Sequence, residues 1–179
     1  ALEKMIWAEA DKLGYFINTV TDPVLAKEKQ VVKNEKRQSY DNRPYGHNFS
    51  VISKNLYPAS HPYSWDVIGS LEDLQNATLQ DVKNFYNRWH VPNNLTLTIA
   101  GDFDVKQTKS WVEKYFGDIK RGEAIPKMEK QWVILPATKK LYYEDNFARL
   151  PQLTLTWPSV YEYHPDSYAL EVLASYLSK

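Results

Sequence analysis

Residues 22–46 read DPVLAKEKQVVKNEKRQSYDNRPYG, and the start of this stretch leaves the backbone little choice. Asp22 can accept from the free N–H groups of a first helical turn, and Pro23 suits the first helical position because no hydrogen bond is lost there. Leu25, Glu28, Val32 and Glu35 then follow at spacings of three, four and three, which is one stripe of a helix. A core-facing stripe is normally apolar, because an unpaired buried charge is costly. Here two of its four positions are carboxylates, two turns apart. Taken alone, the pattern also fits a solvated face: Lys27, Lys29, Lys33 and Lys36 surround the glutamates, and exposed ion pairs are common and modest in worth. Against that stands position, because Glu28 and Glu35 share their stripe with Leu25 and Val32. A helix that aims two carboxylates along a packed seam needs something positive for them to hold.

The charge balance removes one class of partner. Lysine plus arginine equals aspartate plus glutamate at 22 each, so there is no basic footprint for nucleic acid. With 43% hydrophobic and 25% charged residues the chain is globular. Six Trp, thirteen Tyr and six Phe can build a core or line a peptide groove, and the lack of cysteine excludes disulfides and thiolate metal sites. No apolar run approaches a membrane span, and no signal peptide is evident.

In chain order, residues 1–14 form an amphipathic helix with Leu2, Met5, Ile6 and Leu13 on one face and Gly14 at its end. Residues 40–70 read as irregular, rich in Pro, Asn, Tyr and His. His47, His61, His90 and His164 are too far apart in sequence for a helix-borne metal pair, so they read as structural or surface residues. Ser70 and Thr78 open helices, the second with an acidic capping box to Asp81. Val82, Phe85, Tyr86 and Trp89 continue that second helix to His90. Leu95–Ala100 alternates and predicts a strand. Asp104 caps a helix that ends at Gly117. Residues 118–138 read as a linker; 140–144 and 152–157 predict strands, and a last helix starts near Asp166.

Glu28-x6-Glu35 followed by YDNRPYG resembles the inverzincin zinc peptidases, the pitrilysin/insulinase family that includes mitochondrial processing peptidase, and bacterial two-domain members most closely. WAEADKLG, His61-Pro62-Tyr63 with Ile68-Gly69, the GDFD turn and LPQLTLTWPSVYEYHPD extend the likeness over most of the chain. In that family two histidines of an H-x-x-E-H helix and a later glutamate hold zinc. The resemblance implies that Glu35 is that metal ligand and that Glu28 is a supporting acidic residue beside the site, with substrate-binding residues unassigned. It implies an α+β fold, helices on an antiparallel or mixed sheet, as a piece of a duplicated two-domain peptidase. Residues 1–117 would be the back of the zinc-bearing domain, 118–138 a linker and 139–179 the front of a non-catalytic repeat. The H-x-x-E-H helix is expected upstream of Ala1. The intact protein is expected to be a zinc-dependent endopeptidase or oligopeptidase acting on peptides or unfolded polypeptides, and the 179-residue piece to be inactive and without zinc. The alternative is a non-catalytic relative that serves as a binding or structural subunit. A homo-oligomer or a partner homologue fits either reading. The resemblance favours the periplasm or cell envelope and leaves the cytoplasm open.

Overall fold

Helix α1, Leu2–Tyr15, carries Ile6, Ala10 and Leu13 at spacings of four and three, and all three are buried. Their partner is α6, Val105–Phe116, started by Asp104, whose carboxylate accepts from the Gln107 N–H at 2.6 Å. The pairing is tied at its rim, where Glu3 accepts from Tyr115 Oη at 2.8 Å and lies 3.2 Å from Lys114. The computed structural model describes residues 1–178. Within them the chain forms two compact units. One takes Ala1–Asn34 and Ser70–Glu129; the other takes Glu35–Gly69 and the chain from Lys130 on.

The first unit adds α2 (Asp22–Lys36, which crosses the division), α4 (Leu71–Asn76) and α5 (Leu79–Trp89). The starts of α4 and α5 are those the sequence predicts, while α2 begins one residue earlier than expected, with Asp22 inside its first turn. Ser70 Oγ accepts from the Asp73 N–H at 2.9 Å, and Thr78 and Asp81 form a reciprocal capping box. Gly14 does not end α1; it lies inside the helix, with Ile119 3.3 Å from where a Cβ would stand. The second unit holds a π-helical turn at Arg37–Asp41, α3 (Asn48–Leu56) and α7 (Ser167–Leu177). Helix α3 lies in the stretch that reads as irregular. Turn residues flank it on both sides and mask a nine-residue helix whose buried positions are the small polar Ser50 and Ser53.

The α+β expectation is corrected by the structure: among the described residues there is no strand and no sheet. Residues 95–100, 140–144 and 152–157 are not helical either. Leu95 has extended backbone angles, φ −126° and ψ 143°. Alternation of Thr with Leu selects an extended conformation, but a sheet exists only when two such segments exchange backbone hydrogen bonds. Among the described residues, 120–160 make no backbone–backbone hydrogen bond. Helices close their bonds locally and so form regardless of what lies far away in sequence.

Candidate metal-site face on helix α2

Glu28 and Glu35 both lie on α2, and both are exposed. Neither forms an ion pair among the described residues. Spacing explains why. The positions three and four residues from Glu28 are Val24, Leu25, Val31 and Val32; those from Glu35 are Val31, Val32, Gln38 and Ser39. No lysine stands where an intrahelical pair could form. The carboxylates therefore run down the middle of an apolar strip. Leu25 and Val32 flank them half-buried, and Val24 and Val31 are 45% and 50% exposed on the other side. The seam read from the sequence is present, but as a half-covered face and not a core.

The lysines turn another way. Lys29 Nζ donates to the Gln75 carbonyl at 3.1 Å and to the Ala77 carbonyl, and Lys33 Nζ donates to Gln75 Oε1. In the second unit, Lys36 Nζ donates to the Gly69 carbonyl at 2.7 Å. Gly69 has φ +76°, a left-handed conformation that favours glycine. Past Glu35 the helix widens into the π-helical turn, and Gly46 packs so closely on the Tyr40 carbonyl that a Cβ has no room.

The donor chemistry fits zinc in part. An exposed, unpaired carboxylate is a suitable anionic oxygen ligand. Among the described residues, however, no group of three or more His, Asp or Glu side chains is placed to hold a metal ion. His61 is taken up structurally: it is buried, its Nδ1 accepts from the Tyr63 N–H at 3.0 Å, and its ring packs with those of Tyr57 and Tyr63 in a three-ring cluster. His47 faces Asp41 at 3.5 Å.

The second unit also contains a groove of 1140 Å³ that sequence reading does not reveal. It is lined by Val51 and Ile52 of α3 and by Leu141, Leu150 and Trp157 from the non-helical chain beyond residue 130. Tyr45 is held at its edge in the left-handed region, φ 59°. Its N–H donates to Asp145 Oδ2 at 2.8 Å and its hydroxyl to the Leu150 carbonyl at 2.7 Å. The signal for such a groove is the alternation in 152–157, but only the backbone path shows that α3 faces it.

Residues 76–179 match the family model described as the peptidase M16 inactive domain. The zinc protease PqqE of Helicobacter pylori is 33% identical over 127 residues, covering 70% of this chain and 28% of that protein. A Bacillus subtilis protein named "Probable inactive metalloprotease YmfF" is 26% identical over 117 residues, covering 62% of this chain and 27% of that protein. A crystal structure of a protease from Helicobacter pylori superposes with a TM-score of 0.64 at 30% identity, over 70% of this chain and 30% of that one. The chain belongs to the M16 peptidases, the pitrilysin/insulinase family of zinc proteases. It spans little more than a quarter of the length of these curated relatives. Among the described residues no helix is long and apolar enough to cross a membrane.

Proposed function

We propose that this chain is part of a zinc-dependent endopeptidase and that Glu35 contributes one protein ligand to the metal. The observation that supports this is the face of α2: two exposed carboxylates without partners, in line, between valine and leucine side chains. An apolar strip with unneutralised charge at its centre suits a neighbouring element that brings apolar side chains and a cation together. Glu28, two turns back, would orient a ligand or adjust charge beside the site, a role in which such partners matter. When bound, zinc supplies a polarised carbonyl and an acidified water. The other ligands and the general base would come from outside the described residues, and no step is assigned to this chain beyond holding its carboxylates in place. The division into 1–117, 118–138 and 139–179 belongs to the same reading, as does an extended peptide as substrate.

A second reading keeps the fold role and drops catalysis. The match to a domain described as inactive, and the name of the Bacillus subtilis relative, favour it. The natural full-length polypeptide separates the two. Endopeptidase action on an unstructured peptide, lost on chelation and restored by zinc, is the expected result. Intact folding with neither bound zinc nor cleavage of any peptide would leave the binding-subunit reading.

A further inference from the structure

The face of an aromatic ring is negative and attracts cations. Among the described residues, Lys36 lies over Tyr40, Arg88 over Trp89 and Lys114 over Tyr115. These pairs are near neighbours in sequence, and each cation also reaches a carbonyl or a carboxylate. Lys130 differs. Its ammonium stands 4.3 Å from the ring centroid of Tyr161, far away in sequence, and it forms no ion pair among the described residues. Both residues belong to the second unit. The Tyr161 ring is set by its neighbours, T-shaped to Trp132 at 6.1 Å and to His164 at 5.1 Å between centroids. The turn that carries it is well fixed. The Tyr161 carbonyl accepts from the His164 N–H at 3.1 Å, His164 Nδ1 accepts from the Asp166 N–H at 3.2 Å, and the His164 carbonyl accepts from Ser167 Oγ at 2.7 Å. Between them Tyr163 is held at φ 63°, uncommon for a bulky side chain. Residues 161–167 carry the exposed carboxylates Glu162 and Asp166 and no lysine or arginine. Exposed rings and uncompensated negative charge thus share one turn, and a cation is already seated there.

We propose that Trp132 and Tyr161 form a seat for a basic side chain of a bound polypeptide, and that Lys130 occupies this seat in the free protein as an internal competitor. The seat goes beyond the zinc reading: it needs neither Glu35 nor a metal. An incoming lysine or arginine exchanges with Lys130, whose ammonium then returns to water at the end of its flexible stem.

The test is a titration of the natural full-length polypeptide, labelled with fluorotryptophan and kept in chelator so that no cleavage intrudes. The probe is a short, unstructured, end-blocked alanine peptide with one lysine. The fluorine resonance of Trp132, assigned by its loss in W132F, should shift saturably with this peptide and not with its norleucine counterpart. K130M vacates the seat and should bind the lysine peptide about two- to fivefold more tightly, the worth of one exposed cation–π contact. K140M removes the same charge without vacating the seat and should stay near wild type. Y161F keeps the ring and should bind like wild type, whereas Y161L should abolish the shift. Lys130 is exposed, so K130M remains decisive if Y161L disturbs its turn. The inference is overturned by equal binding of the norleucine peptide, by no saturable shift in K130M, or by a K130M affinity no higher than that of wild type or of K140M. Because metal is absent throughout, loss of the zinc reading would leave this result standing, and failure here would leave the zinc reading untouched.

Discussion

Asp145 is the side chain on which the irregular half of the second unit depends. Its carboxylate accepts from the backbone N–H groups of Phe147 at 2.8 Å, Ala148 at 2.9 Å and Tyr45 at 2.8 Å. These bonds hold its carboxyl below the ordinary 3.8, with the Phe147 bond the largest cause, then Tyr45, Ala148 and the nearby His47. A depressed folded pKa gives stability that is present above the unfolded value and is lost as pH falls through the folded one. Denaturant midpoints should therefore drop as pH falls below about 4. D145N should be less stable at neutral pH and show a shallower acid decline; an acid limb as steep as wild type would refute the role. Capping residues such as Asp104 and Thr78 are legible in sequence because their partners lie three residues away. Asp145 is not, because Tyr45 is a hundred residues distant.

At the level of elements, the helices are legible in the sequence, whereas the expected sheet is absent among the described residues. The periodicity and caps of α1, α2, α5 and α6 predict those helices, since their hydrogen bonds are local. The alternation in LTLTIA and LTLTW cannot say whether a partner strand exists. The face of α2 was half legible: its stripe was visible, while the destination of its lysines depended on where α4 ends. Residues 118–138 read as a linker, yet their first part is strapped to the first unit. Asn93 accepts from the Gly122 N–H and donates to the Glu123 carbonyl, each at 2.8 Å, and Arg88 donates to the Ala124 carbonyl at 3.1 Å. A Cβ on Gly122 would stand 2.6 Å from Val91. N93A should lose about 1–2 kcal/mol, the worth of two hydrogen bonds. Brief trypsin treatment should cut wild type at Lys127 and Lys130 before Arg121, and cut N93A at Arg121 as readily. Early cleavage of wild type at Arg121 would show that the strap does not hold.

On the scale of the whole molecule, the account joins a family assignment to one helix face. Membership in the M16 peptidases rests on a match across residues 76–179. The proposed ligand role of Glu35, which lies outside that match, is what the resemblance of Glu28-x6-Glu35 to the family implies, and the exposed carboxylates of α2 support it. Its neighbour Glu28 shares the exposed strip, whereas Glu9 on α1 lies 3.7 Å from Lys12 in an ordinary surface pair and serves as a control. The most direct measurement is bound zinc in folded full-length protein for E35Q, E28Q and E9Q. The account predicts that E35Q loses zinc affinity by more than the ~10–100-fold expected for an outer partner, that E28Q falls within that range, and that E9Q matches wild type. Full zinc occupancy and affinity in E35Q would contradict it and return α2 to a purely structural helix.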